Sequence, residues 1–365
     1  MTQIFEHRRT TPEPLVRDLT EEEVAAYDRD GAILLRGFFS DHWVETVGAA
    51  IDRLAENPTP FGKLLSGKGL HSDLYMWKYD QGFHDFIFSS PAAHIAQQIM
   101  RSSRVNFVVD HMFKKDPGCA IPTLWHRDES AWPVQGRQRM NIWLACDNVS
   151  TENSALQFVA GSHLWARSPL VDDYKGAPDE RVERMLGQLG WKPTKQPALP
   201  SEEDEVTSWD VIRYGFQGGV HRQYEQDMAT TPIEPDLEGL VSVEPNRDRL
   251  PIVSWDVQPG DALVFHFRTL HYSTGNQHDT IPRRALGTRW SGDDAVYTPR
   301  VGNVPVLWEH DLRPGDPMGG PLYPQILPET RPEEEGAHRM GAEAENPGFG
   351  YRDLLRRLRA AGLAD

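Results

Sequence analysis

Cysteine is scarce. Cys119 and Cys146 are the only two in 365 residues, too few for a disulfide framework or a four-cysteine zinc site, so a reducing, cytoplasmic setting is expected. Long apolar runs are missing as well: none approaches the roughly 20 residues a membrane helix needs. The opening MTQIFEHRRTTPEP has no apolar stretch of the secretory kind. A soluble protein with no membrane partner is the expectation. Positive charge is in deficit, 38 Lys and Arg against 54 Asp and Glu for a net of −16, which argues against the broad phosphate-neutralising surface that nucleic acid demands. Apolar and aromatic residues, by contrast, are plentiful at 39% and 10%, with 11 Trp. Such a composition can bury a core, and it excludes a wholly disordered chain.

The pattern changes along the chain. Thr20-Glu21-Glu22-Glu23 has the capping-box form and predicts a short helix to Asp28, ended by Gly31. Ala32 to Leu35 reads as a buried strand, and Ser40 then caps a helix with Val44, Val47, Ile51 and Leu54 at helical spacing. Residues 1–104 are thus expected to be mainly helical, with one strand. From there strands dominate: Val105 to Phe113, Met140 to Asp147, Ala155 to Ala160, Ile252 to Val257, Ala262 to Phe267 and Arg284 to Trp290. Six or more strands joined by long excursions suggest an antiparallel barrel or jelly roll. Between them, residues 165–249 form a Pro-rich, acidic insertion containing Glu202 to Glu205, read as a partly folded cover over the active site because it also carries Trp191, Trp209, Tyr214 and Phe216. Residues 293–365 form a C-terminal extension. Pro314 to Gly350 within it reads as surface coil, and Tyr351 to Ala361 as a last helix that offers a contact for a second copy of the chain. All 365 residues are expected to make one domain.

A mononuclear iron site of the oxygenase type needs two imidazoles and a carboxylate on one side of the metal, with positions left open for reactants. His-x-Asp on a strand supplies two of these, because side chains alternate with period two. The tripeptide alone means little: 14 His, each with a 54/365 chance of an acid two places on, gives 14 × 54/365, or about 2, and the sequence holds two. They are His71-Ser72-Asp73 and His126-Arg127-Asp128. The second has the richer context. Lys115-Asp116-Pro117-Gly118 precedes it, Trp125 and Trp132 flank it, and a strand follows. Downstream come Gly161-Ser162-His163, Pro259-Gly260-Asp261, His271-Tyr272-Ser273 with Asn276, and Pro282-Arg283-Arg284-Ala285.

In this order these motifs resemble the phytanoyl-CoA dioxygenase family of iron(II)/2-oxoglutarate oxygenases, and Asp30-Gly31 with Gly37-Phe38 is similar to that family's N-terminal part. The resemblance covers most of the chain outside the insertion and the C-terminal extension. It implies a mainly β fold with flanking helices: a double-stranded β-helix (jelly roll, cupin-like) core over residues 105–164 and 250–292. It also implies His126, Asp128 and His271 as iron ligands, and Arg283 as the grip on the distal carboxylate of 2-oxoglutarate. Three protein ligands, a two-toothed 2-oxoglutarate and O2 would fill the iron's six positions. The expected outcome is hydroxylation of a C–H bond in a small, partly apolar organic substrate, with release of succinate and CO2. A halogenating relative would carry a small residue in place of Asp128.

Residue chemistry agrees with the carboxylate grip. Arg binds a planar carboxylate through two nitrogens, and Ser273 sits two residues from His271 on the same strand face. Arg283 shares its face with Ala285, Gly287 and Arg289, whereas Arg284 shares its face with Leu286 and Trp290, which favours Arg283 as the inward one. Asn141, on the strand after the metal motif, is a further candidate for a cosubstrate contact. His266, in an apolar run, reads as packing, as do His111, His163 and His221; Trp132 is the tryptophan placed near a substrate. Two other functions compete: a non-catalytic jelly-roll binding protein, and a cupin-type metal dioxygenase that works without 2-oxoglutarate.

Overall fold

The computed structural model describes residues 12–165, 243, 247–298, 304 and 310–328. Most of the expected insertion, with Glu202 to Glu205, Trp191, Trp209, Tyr214, Phe216 and His221, and the final helix expected at 351–361 lie outside the described residues.

The N-terminal part forms as its caps direct. Helix α1 (Glu21–Asp30) carries a complete capping box: the Thr20 hydroxyl accepts from the Glu23 amide and the Glu23 carboxylate accepts from the Thr20 amide. Gly31 ends it in the left-handed region, at φ 74°. Strand β1 (Ala32–Leu35) and helix α2 (Asp41–Glu56) follow, with Ser40 at the N-cap position of α2 but making no side-chain capping bond. Helices α3 (Pro60–Leu65), α4 (Gln81–Ser89) and α5 (Ala92–Met100) complete the helical layer. A second strand, β2 (Leu70–Leu74), also lies here, where the sequence pattern gave only one.

Two antiparallel sheets make the body of the molecule. The larger runs β1, β9 (Ala262–His266), β6 (Arg139–Ala145), β11 (Arg283–Ser291), β3 (Val105–Lys115) and β13 (Gln325–Leu327), with β2 also paired to β3. The smaller runs β4 (Thr123–His126), β10 (His271–Ser273), β7 (Leu156–Val159) and β8 (Ile252–Ser254). Two short strands, β5 (Val134–Gln135) and β12 (Val296–Tyr297), pair separately. Observed strand ends fall within about three residues of those expected, as end-fraying allows.

Period-two alternation sorts the larger sheet's side chains between two cores. Met140, Ile142 and Leu144 of β6, Ala262 and Val264 of β9, and Leu286 and Trp290 of β11 face the helices and pack with Val47, Ile51, Phe86 and Ile95. Trp143 and Ala145, Leu263 and Phe265, and Ala285 take the opposite face and meet Leu156 and Phe158 of the smaller sheet. The two sheets therefore close on each other: a mainly β, jelly-roll fold with helices on its outer side.

The described part of the expected coil, residues 314–328, departs from that reading. Leu322, Tyr323 and Ile326 are buried, and β13 pairs with Val105 and Asn106, the part of the β3 edge that β2, which covers His111 to Lys115, leaves open. Several motifs brace the sheets. Asp261 of the Pro-Gly-Asp turn accepts from the amides of Gly37 and Gln258 and pairs with Arg36, tying the turn before β9 to the end of β1. Gly260 there has φ 85°, and a Cβ would lie 2.5 Å from the Phe39 carbonyl oxygen, so only glycine fits. Cys119 and Cys146 are buried free thiols. Among the described residues no helix is long and apolar enough to cross a membrane.

Candidate metal centre

His126 is the last residue of β4 and His271 the first of β10, and the two are direct partners across the antiparallel ladder. Cross-strand partners project to the same side, and their ring centroids lie 4.1 Å apart. Asp128 is not on the strand: it opens a 3-10 turn (Asp128–Ser130). The expected alternation still holds because Arg127 is extended, at φ −115° and ψ 142°. Its side chain leaves on the opposite side and donates to the Ser162 carbonyl at 2.7 Å. One ligand atom from each of His126, Asp128 and His271 lies within 4.8 Å of the others, so the three could hold one metal ion.

Electrostatics leaves His271 and Asp128 in ligand form. His271 is pushed down to about 3, first by burial and then by His126 beside it, and so is neutral at pH 7. Its Nδ1 lies 2.9 Å from the Thr269 carbonyl oxygen, which turns Nε2 toward the trio. Burial works to raise Asp128, yet the Arg289 guanidinium and the nearby His126 and His271 hold its carboxyl far below the usual range. Arg289 Nε donates to Asp128 Oδ2 at 2.9 Å. Phe265 packs 4.8 Å from the His271 ring, and His126 keeps the partly exposed side, with a quarter of its side chain accessible.

Ser162 of the Gly-Ser-His motif and Asn276 of the motif that begins at His271 brace this geometry from outside the trio. Ser162 Oγ accepts from the amide of Leu270, the residue before His271. Asn276 donates to the carbonyls of Lys115 and Ile281, fixing the end of β3 to the approach to β11. His163 meets the Asp28 carbonyl, and His266 lies 3.1 Å from the Arg137 carbonyl oxygen and is pushed down to about 3 by burial. Both serve packing.

Arg283 and Arg284 separate as their faces require. Arg284 lies on the helix side, paired with Asp147 and Asp52 at 2.7 Å each, and the hydrogen bond with Asp147 raises it further. Arg283 points inward, buried; one nitrogen donates to Ser154 Oγ at 2.9 Å while Nε and Nη1 find no acceptor among the described residues. Burial pushes it down to about 10, still a cation at neutral pH. Ser273, buried on β10, accepts from Lys115 Nζ at 3.1 Å. The same ammonium donates to Ser154 Oγ and to the Thr274 carbonyl, so it sets both hydroxyls beside Arg283. A buried guanidinium with two open donors is suited to a carboxylate. Ser273 stands two strand residues, about 7 Å, from His271.

Asn141 is buried at the other end of β11, cross-strand from Arg289. Its amide donates weakly to the Phe265 carbonyl at 3.5 Å, and its Oδ1 has no hydrogen-bond partner among the described residues. Trp132 is buried too, with the Arg289 guanidinium 4.8 Å over its ring. The competing His71-x-Asp73 lies on β2 with both side chains otherwise engaged: His71 with Asp116 at 2.9 Å, Asp73 with Thr59. Sequence reasoning gave no role to Lys115, Ser154 or Arg289. Inward position on β3 and β11 could have flagged the two cations. For Ser154, buried at φ 78°, strain of the kind seen at functional sites is visible only in the fold.

Comparison with known proteins agrees with this architecture. The family model described as phytanoyl-CoA dioxygenase (PhyH) matches residues 27–285. The chain is similar in fold to the non-haem alpha-ketoglutarate-dependent carbocyclase SnoK from nogalamycin biosynthesis, at 20% identity and TM-score 0.55, covering 87% of this chain and 100% of that one. It is also similar to the epimerase SnoN in complex with Fe3+, alpha-ketoglutarate and nogalamycin RO, at 20% identity and TM-score 0.54, covering 84% and 98%. No curated protein matches the sequence.

Proposed function

The chain belongs to the phytanoyl-CoA dioxygenase family, and from that premise we propose that it is an iron(II)- and 2-oxoglutarate-dependent oxygenase. In this reading it hydroxylates an unactivated C–H bond of a small, partly apolar organic molecule, releasing succinate and CO2, in a reducing cytoplasmic setting. The observation that carries the reading is the meeting of His126, Asp128 and His271 within a fold whose other sheet turns the buried, half-engaged Arg283 inward.

The donor set fits the group. Two imidazoles and one carboxylate, contributed from one side, are the set used by non-haem iron oxygenases, and they leave positions open for reactants. Bound there, iron(II) supplies the redox chemistry that couples O2 and 2-oxoglutarate to C–H oxidation. The chain's own residues do the placing. Arg283 takes the distal carboxylate of 2-oxoglutarate through Nε and Nη1, Ser273 adds its hydroxyl, and Lys115 holds the hydroxyls in place. Asn141 sits at the metal end of the sheet that carries Arg283, where it contacts the other end of the cosubstrate. Trp143, Phe158 and Phe265 line the interior and exclude water. A carboxylate at position 128 leaves no space for a halide, so oxygen insertion is the outcome favoured. The SnoK and SnoN folds, named for carbocyclase and epimerase activities, show that this architecture also accommodates other outcomes, which substrate placement decides.

The test is anaerobic loading with iron(II), then O2, ascorbate, 2-oxoglutarate and a panel of small apolar candidates, with succinate and product mass as readouts. Substrate-dependent succinate with a product one oxygen heavier is expected, and neither with Asp128→Ala. A product two hydrogens lighter would replace hydroxylation by desaturation or ring closure. Metal binding with no succinate across the panel would favour the non-catalytic binding protein. Turnover indifferent to Arg283→Met would favour the 2-oxoglutarate-independent dioxygenase.

A further inference from the structure

The carboxylate of Asp128 is divided between two neighbours. Oδ1 is the atom near the imidazoles, 3.6 Å from His126 Nε2 and 4.0 Å from His271 Nε2. Oδ2 faces away and accepts from Arg289 Nε at 2.9 Å. Arg289 comes from β11 in the other sheet, from the inward row that holds Arg283, and is almost fully buried. Its Cζ stands 4.8 Å from the centre of the Trp132 ring, and its cross-strand neighbour on β6 is Asn141. The arginine is therefore held in one orientation by packing, and its Nε–H bond has one direction. Among the described residues Oδ2 makes no other hydrogen bond than the one to Arg289, and Asp128 sits on a turn rather than in a ladder.

We propose that Arg289 is a positioning residue that restricts Asp128 to binding the metal through a single oxygen. The proposal rests on the reading above that the trio holds iron. A carboxylate free to rotate about its last bond can offer both oxygens to one ion. Two imidazoles plus a two-oxygen carboxylate would leave two of six octahedral positions, and a chelating 2-oxoglutarate would take both. With Oδ2 tied to Arg289, three positions stay available, which is the number that cosubstrate and oxygen together require. Lysine could not do this from position 289. Its Cε would occupy the place of the arginine Nε, setting a methylene against Oδ2 where a donor is needed.

The experiment uses the full chain loaded anaerobically with Co(II), which needs no turnover. Affinity is measured by titration calorimetry. Carboxylate binding is read from infrared difference spectra, in which the gap between the two carboxylate stretches is wide for one-oxygen and narrow for two-oxygen coordination; loss of the bands in Asp128→Ala assigns them. Wild type is expected to show the wide gap. Arg289→Gln should narrow it and weaken Co(II) binding about 10- to 100-fold, the range seen when partners of metal ligands are removed. In an Asp128→Ala background the same substitution should change affinity less than about two-fold, because the two act as a unit; a purely structural arginine would weaken both backgrounds alike. If Arg289→Gln does not fold, Arg289→Lys keeps the buried cation and is expected to show the narrowed gap with weaker binding. A wide gap and wild-type affinity in a folded Arg289→Gln or Arg289→Lys protein overturns the proposal while leaving the metal site intact. A wild-type protein that binds no Co(II), or binds it as well without Asp128, overturns it together with the site itself.

Discussion

Two His-x-Asp tripeptides of identical spacing lie in this chain, and both place a buried aspartate in the fold. At 71–73 the pair is on β2, whose residues His71 and Asp73 stand opposite Lys114 and Met112 on the helix side of the sheet. Asp73 there accepts from the amide and hydroxyl of Thr59, the residue that caps α3, and from the Leu74 amide. At 126–128 the pair faces the interior, and the strand laid against it brings a second histidine. Spacing is shared; what lies opposite is not. A metal-binding tripeptide is therefore made by its cross-strand partner as much as by its own residues.

Substitutions sharpen the contrast. The largest effect is expected from Asp128→Ala, which should abolish succinate release and weaken metal binding more than any other single substitution, measured by coupled turnover and anaerobic titration. Next comes Arg283→Met: loss of one partner of a buried charge-assisted contact should raise the KM for 2-oxoglutarate about 100-fold, with metal affinity unchanged. Asp73→Ala should leave the metal in place and lower stability by about 1–3 kcal/mol in denaturant melts, because the Thr59 donors lose their acceptor. Equal metal loss in both Asp→Ala variants would erase the distinction drawn here. A milder test is pH. Burial outweighs the hydrogen bonds of Asp73 and pushes it up to about 6, above its ordinary value of 3.8. The folded state thus holds this proton more tightly than the unfolded, so the contribution is complete below the unfolded value and is lost as pH rises through about 6. Asp73→Asn should flatten that decline, which cannot exceed about 1.4 kcal/mol per pH unit. The smallest effect is expected from Arg284→Gln, whose partly exposed ion pairs are worth about 1 kcal/mol or less, with no change in KM.

Much of this was legible beforehand, for definable reasons. The capping box of Thr20 and Glu23 and the stop at Gly31 are local chemistry, and they form as read. The inward face of Arg283, which the family resemblance also implied, was favoured over that of Arg284 by period two, because each arginine's face already showed its company. Less accessible were contacts made only when the sheets curl together. Lys115 ends β3, Ser154 lies in a turn and Ser273 belongs to the opposite sheet, yet one ammonium joins the two hydroxyls. Arg289 reaches Asp128 across 161 positions of sequence. The three-residue β13 was hidden for another reason: so short a strand carries no periodicity, and its pairing depends on the edge that β2 leaves exposed.

The ladder that joins His126 to His271 has a consequence for how the centre comes into being. A slip of β10 by a single residue would swing Tyr272 into the interior and carry the imidazole out, so no half-built version of the site exists between right and wrong pairing. Metal uptake during refolding would then serve as a stringent clock for when the smaller sheet has locked into its proper alignment.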